Sequence, residues 1–163
     1  ACGIALKRLG FNVRGWSRRE KRVDGILCFY GDEQIDSSLM DADIVVLLLP
    51  DTPLTQNILN QHTLNLLKRG AFVLNPGRGP LIDDDALLAA LDSGQIEHAT
   101  LDVFRIEPLP QNHQYWSNNK VTVIPHKASE TRPKTASQVI SMNIEKAENG
   151  EELLYLVDRE NGY

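Results

Sequence analysis

Apolar and polar positions change period from segment to segment along this chain, and the changes predict an alternation of helices and strands. Ala1–Leu9 carries Ile4, Leu6 and Leu9 at helical spacing, and Gly10 follows as a stop. Phe11–Trp16 predicts a short strand and Ser17–Val23 a basic loop; Asp32–Met40 predicts a short helix. Asp43–Leu49 is a continuous β-branched and aliphatic run, the pattern of a strand buried on both faces. A loop with two prolines, Pro50–Leu54, separates it from a helix over Asn57–Lys68 that Gly70 ends. Ala71–Asn75 predicts the next buried strand. Asp83–Leu91 predicts a helix, because acidic residues suit its first turn and Gly94 closes it. His98–Phe104 and Val121–Ile124 predict two more strands. Pro133–Asn149 predicts a long helix with proline in its first turn, and Glu151–Tyr163 shows no clear period.

Strands alternating with helices at this spacing give βαβ units, so the expected class is α/β with a doubly wound, mostly parallel sheet. Ligands in such sheets bind at the carboxyl ends of the strands. Three segments fall at such ends: Trp16–Arg19, Leu49–Thr55 and Asn75–Gly79. The first helix opens without a cap or a preceding strand, which predicts that something upstream of Ala1 is missing.

Composition narrows the chemistry. The 17 Lys and Arg against 22 Asp and Glu leave a net charge of −5, which argues against general nucleic-acid binding. The two cysteines, Cys2 and Cys28, are too few for a disulfide framework, so a cytoplasmic setting is expected. The apolar runs are too short to span a bilayer, and no leader is expected at the first residues. Metal-ligand spacings, a nucleophile elbow and a P-loop are all lacking, so no metal is expected.

Three short segments could carry chemistry. Arg78 follows a strand and stands between Gly77 and Gly79, where its planar fork could pair with a carboxylate. Asp102 and Glu107 come just past another strand, and His126 follows a third strand and a proline. Each segment alone also suits a bland role: a solvated turn arginine, an acidic loop, a structural histidine. Together they place an arginine, a glutamate and a histidine after different strands of one sheet. A carboxylate beside a histidine fixes its tautomer and makes an acid/base pair. With an arginine nearby, that trio suits proton transfer to a 2-oxo acid or from a 2-hydroxy acid.

These segments resemble the D-isomer-specific 2-hydroxyacid dehydrogenase family. Asn75-Pro-Gly-Arg-Gly79 resembles its N-x-x-R-G segment. Leu101-Asp-Val-Phe-Arg-Ile-Glu-Pro108 resembles its L-D-V-F-x-x-E-P segment, and Pro125-His-Lys-Ala128 its P-H-x-A segment. The intervals of 29 positions from Arg78 to Glu107 and 19 from Glu107 to His126 also fit. Pro50–Thr55 resembles the family's P-x-T-x-x-T loop, and within the family the chain is most similar to the bacterial glyoxylate/hydroxypyruvate reductase A branch.

The resemblance implies roles. Arg78 would bind the substrate carboxylate, His126 would be the general acid, and Glu107 would hold and tune it. Asp102 and Pro76, with Arg78 and His126, would meet the nicotinamide end of a dinucleotide; Leu49, Pro50 and Thr55 would line the adenosine and pyrophosphate side. Ser17, Arg18 and Arg19 stand where NAD-preferring sites place an acid, and their character suits a 2′-phosphate. NADP(H) is therefore expected ahead of NAD(H). A homodimer is expected, with a small 2-oxo or 2-hydroxy acid as substrate and neither nucleic acid nor membrane as partner.

The resemblance also implies a Rossmann-like cofactor domain over 1–132 and, over 133–163, a segment belonging to the substrate lobe. The family's first strand and G-x-G-x-x-G loop would precede Ala1, as would most of that lobe. Lys127, beside His126, and Pro76 depart from the family's usual residues. Two other expectations stand beside the enzyme: a dinucleotide-binding regulatory or oligomerisation module without turnover, and a fragment inactive on its own.

Overall fold

The computed structural model describes residues 1–129 and 131–159. Its helices are α1 (Cys2–Arg8), α2 (Ile35–Leu39), α3 (Gln61–Leu66), α4 (Asp84–Asp92) and α5 (Pro133–Glu148). Its strands are β1 (Arg14–Ser17), β2 (Leu27–Tyr30), β3 (Ile44–Val46), β4 (Ala71–Asn75), β5 (Ile96–Leu101) and β6 (Val121–Val123). β1 and β2 pair in parallel, and the other four strands hydrogen-bond in the order β3-β4-β5-β6. Bonds from Phe72 N to Asp43 O and from Leu47 N to Leu74 O advance together along both strands, as parallel pairing requires. The expected α/β class with a parallel sheet holds.

The chain divides into two compact units. One comprises Ala1–Val45, Leu59–Val73 and Asp83–Ala99; the other comprises Val46–Ile58, Leu74–Ile82 and Thr100–Tyr163. In the first unit α3 packs on α4, and Leu64, Val73, Leu87, Leu91, Ile96 and Ala99 are fully buried. α3 starts later than its apolar spacing predicts because Asn60 forms a capping box. The Asn60 side chain accepts from the N–H groups of His62 and Thr63, and the Thr63 hydroxyl accepts from Asn60 N–H. Asp83 caps α4 by accepting from Ala86 N–H at 3.1 Å. The guanidinium of Arg14 donates to Met40 O at 2.8 Å, at the C-terminus of α2, where orphan carbonyls favour a cation.

In the second unit the buried apolar side chains include Leu47, Leu81, Ile82, Leu101, Val103 and Tyr115. His113 is structural: its Nδ1 accepts from Tyr115 N–H, and its ring lies 4.5 Å from that of Tyr115.

Three local expectations need correction. β2 was not anticipated, although Leu27–Tyr30 is apolar and lies between Gly25 and Gly31. β3 is shorter than Asp43–Leu49 and is not buried on both faces: Val45 and Leu47 are covered, whereas Ile44, Val46 and Leu48 are exposed. Among the described residues it is the end strand of its sheet and hydrogen-bonds to β4. β5 runs from Ile96 to Leu101 and therefore ends before Asp102, which frees Asp102 to enter the site loop.

Candidate active site

The site gathers on the loops that follow β3, β4, β5 and β6 in the second unit. Asn75, the last residue of β4, sets the first of them. Its buried side chain accepts from Gly77 N–H at 3.1 Å through Oδ1 and donates from Nδ2 to Arg78 O at 2.9 Å. Such an Asx turn is what an asparagine before Pro-Gly favours. It presents Arg78 at the surface, where one guanidinium nitrogen donates to Gly77 O at 2.7 Å. Gly77 must lack a side chain, because a Cβ there would sit 2.8 Å from Leu47 O. Arg78, Pro76 and Gly77 then line an open cleft of about 540 Å³ with Leu48, Leu49, Pro50 and Asp51.

Thr55 lies behind that wall. Its hydroxyl donates to Pro50 O at 2.7 Å and accepts from Thr52 N–H at 2.9 Å. Thr52 and Thr55 are both buried, so the pair fixes the shape of the Pro50 loop from inside.

Glu107 and His126 meet directly. Glu107 Oε2 lies 2.8 Å from His126 Nδ1, and Oε1 accepts from Phe104 N–H at 2.9 Å. Burial pushes the Glu107 carboxyl up. The His126 hydrogen bond, the Phe104 N–H and the charges of His126 and Arg78 outweigh it, so the group ionises below the ordinary glutamate range. An ionised carboxylate only accepts, so Nδ1 of His126 carries the proton and Nε2 is the nitrogen left for other work. The imidazole is about half exposed, so that nitrogen is within reach of a ligand.

His126 itself has φ +50°, the left-handed region that non-glycine residues rarely adopt. Its N–H donates to Asp102 O at 2.9 Å. Asp102 is buried, and its two carboxylate oxygens accept from the N–H groups of Lys127 and Ala128 at 2.7 and 2.9 Å.

Ser17, Arg18 and Arg19 belong to the first unit. Ser17 ends β1, and its hydroxyl donates to Arg19 O at 2.8 Å, so it shapes the basic loop from within. A second cleft of about 390 Å³ in that unit is lined by the 20–26 segment with Cys28 and Tyr30.

Asn75 and Gly79, which the sequence marks as parts of the N-x-x-R-G segment, also shape the site, as do Arg105 and Asn57, to which the sequence assigns no role. A Cβ on Gly79 would overlap the Phe104 carbonyl and the Arg105 nitrogen. The Arg105 guanidinium donates to Asn57 Oδ1 and Ile82 O. Asn75 before Pro-Gly was a readable turn signal. The Arg105–Asn57 contact spans 48 positions and leaves no local trace in the sequence.

The depressed Glu107 ionisation carries a prediction. A carboxylate held below its unfolded value adds stability above that value and loses it as pH falls through the folded one. Glu107→Gln should therefore flatten the acid limb of stability below about pH 4.5 and leave a smaller difference between pH 4 and pH 7. Chemical denaturation at a series of pH values checks this; parallel acid limbs for wild type and variant would contradict it.

A family profile described as D-isomer specific 2-hydroxyacid dehydrogenase, NAD binding domain, matches residues 2–128. The chain is 42% identical over 158 residues to glyoxylate/hydroxypyruvate reductase A of Yersinia enterocolitica, covering 97% of this chain and 50% of that protein. It thus spans about half the length of the curated relatives it matches. A D-isomer specific 2-hydroxyacid dehydrogenase from Xanthobacter autotrophicus Py2, solved in complex with NADPH and MES, superposes with TM-score 0.95 at 46% identity. The match covers 99% of this chain and 66% of that one. The NADPH-dependent glyoxylate/hydroxypyruvate reductase of Sinorhizobium meliloti, solved with NADP and sulfate, superposes with TM-score 0.93 at 33% identity, covering 99% and 52%.

Proposed function

This chain belongs to the D-isomer specific 2-hydroxyacid dehydrogenase family, whose NAD-binding domain it matches, and from that premise we propose that it serves NADPH-dependent reduction of a small 2-oxo acid. Glyoxylate and hydroxypyruvate are the proposed substrates, as in the names of its relatives. The observation that carries the proposal is the 2.8 Å Glu107–His126 pair, with the charge of Arg78, which lines the cleft, acting on the Glu107 carboxylate.

The residues present suit a dinucleotide. Gly77 gives a side-chain-free backbone at the cleft, and a Cβ there would be too close to Leu47 O. Pro76 and Arg78 line the same cleft with Leu49 and Pro50, Thr55 braces that loop, and Asp102 and His126 complete the proposed nicotinamide side. Ser17, Arg18 and Arg19 would take the 2′-phosphate, which makes NADP(H) the preferred form. When bound, the dinucleotide supplies the hydride.

The chain's own residues do the rest. Arg78 offers a planar fork to the substrate carboxylate and orients the neighbouring carbonyl. His126 donates a proton from Nε2 to the carbonyl oxygen as negative charge develops there, and takes it back in the reverse direction. Glu107 holds Nδ1 and stabilises the imidazolium, as its ionised state allows.

The same proposal divides the chain into a cofactor-binding part over 1–132 and a substrate-lobe segment over 133–163. It makes the protein a cytoplasmic homodimer. The two copies would join through the cofactor-binding part. Among the described residues, no helix is long and apolar enough to cross a membrane.

The test is steady-state kinetics on the protein carrying this chain, with NADPH and glyoxylate. Arg78→Ala should lower kcat/KM for the acid by about 10²–10³-fold, because the charged contact that holds the substrate carboxylate and orients the carbonyl is lost. NADPH affinity should stay close to wild type. Arg18→Ala with Arg19→Ala should instead raise the Kd for NADPH and leave that for NADH unchanged. Equal loss for both cofactors would overturn the 2′-phosphate assignment.

A further inference from the structure

Asp102 is placed to act on His126 through the backbone. Three of its groups hold the turn that carries the histidine. Its carbonyl accepts from His126 N–H at 2.9 Å. Oδ1 accepts from Lys127 N–H at 2.7 Å and Oδ2 from Ala128 N–H at 2.9 Å. The side chain is nearly inaccessible, with the residue 3% exposed, so these bonds work with little competition from water. Its own N–H donates to Asn75 O at 3.0 Å. Asn75 in turn fixes the Arg78 turn, so one hydrogen-bonded chain joins the two proposed substrate-facing residues. A left-handed, non-glycine His126 persists only where surrounding bonds over-determine it.

We propose that Asp102 is a positioning residue for His126: its buried carboxylate clamps the His126–Ala128 turn in the left-handed conformation that brings Nδ1 to Glu107, whether or not a dinucleotide is bound. This rests on the reductase reading only for its effect on rate. All the bonds that make the clamp lie within the chain, and that separates it from a role confined to holding the nicotinamide.

Nuclear magnetic resonance on the cofactor-free protein carrying this chain tests it. In the wild type, the Lys127 and Ala128 amides should exchange with solvent at least about tenfold more slowly than unprotected amides. A downfield Nδ1–H signal should report the His126–Glu107 bond. Asp102→Asn keeps the size but turns an N–H donor toward one of the two amides. It should remove protection there and broaden or abolish the Nδ1–H signal. With NADPH and glyoxylate, kcat at saturating NADPH should fall by about 10- to 100-fold, beyond any change in the Kd for NADPH.

Unprotected amides in the wild type would overturn the clamp, and that arm needs no variant, so it decides even if Asp102→Asn fails to fold. An unaltered Nδ1–H signal in a folded Asp102→Asn variant, with only the Kd for NADPH raised, would also overturn it and assign Asp102 to the dinucleotide alone. A wild type that reduces no 2-oxo acid would sink the reductase reading while leaving both spectroscopic arms to decide the clamp.

Discussion

Replacing His126 with alanine should lower kcat for glyoxylate reduction by about 10²–10⁴-fold, the range a positioned general acid supplies. The carbonyl oxygen gains a full negative charge as the hydride arrives, and a proton delivered in that step removes it. His126 is suited to deliver it because Glu107 occupies Nδ1 at 2.8 Å and leaves Nε2 on a half-exposed ring. Arg78 can share the charge as a hydrogen-bond donor, but a guanidinium does not serve as the proton source, so it cannot replace the acid. The loss should appear in kcat and kcat/KM together, since the interaction is made in the transition state. NADPH binding, followed by fluorescence, should be largely retained. Glu107→Gln should give a smaller fall, because glutamine can still accept from Nδ1 but no longer stabilises the imidazolium. A His126→Ala variant within tenfold of wild type would remove the histidine from the chemistry.

The largest structural effect is expected at Gly79. The backbone of the 79–81 turn lies against the backbone of Phe104 and Arg105 so closely that a Cβ would overlap the Phe104 carbonyl and the Arg105 nitrogen. Neither neighbour is a flexible side-chain end, so one of the two loops must move. Gly79→Ala should destabilise the protein by about 3 kcal/mol, the upper part of the overpacking range. For a chain of this size, that is a fall in Tm of roughly 6–12 °C. The damage should reach the chemistry as well. Phe104 N–H is one of the two groups holding the Glu107 carboxylate, so a shifted Phe104 loosens the His126 pair. Catalytic loss should therefore persist at temperatures where the variant is folded. Gly70→Ala is the control, since open space surrounds that position and its only cost is a positive φ of 80°. Equal Tm values for Gly79→Ala and wild type would mean that the two loops do not meet as described.

Much of this was legible in the sequence because the informative residues act locally. Ala71–Asn75 reads as a strand from its apolar run and forms β4 with the same bounds. Asp83 reads as a helix start and caps α4 through its own side chain. The order of helices and strands gave the α/β class, and that order follows from hydrophobic period alone. β2 escaped because parallel neighbours usually need a crossover of a dozen or more residues, and the short basic loop after β1 does not suggest one. The pairing of β1 with β2 register by register is a tertiary outcome.

The site divides in the same way. That Arg78, Glu107 and His126 each follow a strand could be read from their positions, and the Glu107–His126 bond is present. What holds them could not be read. The buried Asp102 accepts from two amides 25 and 26 positions away, and no spacing rule announces that. The Thr52–Thr55 brace inside the Pro50 loop is local, yet its burial is decided by packing.

The central claim is that the Glu107–His126 pair and Arg78 reduce a 2-oxo acid at the expense of NADPH. Its most direct test is the loss of NADPH absorbance on adding glyoxylate or hydroxypyruvate to the protein carrying this chain, with His126→Ala run alongside. The account predicts saturable oxidation that the variant loses while still binding NADPH. NADPH binding by the wild type without oxidation by either acid would contradict it and point to a dinucleotide-binding regulatory module.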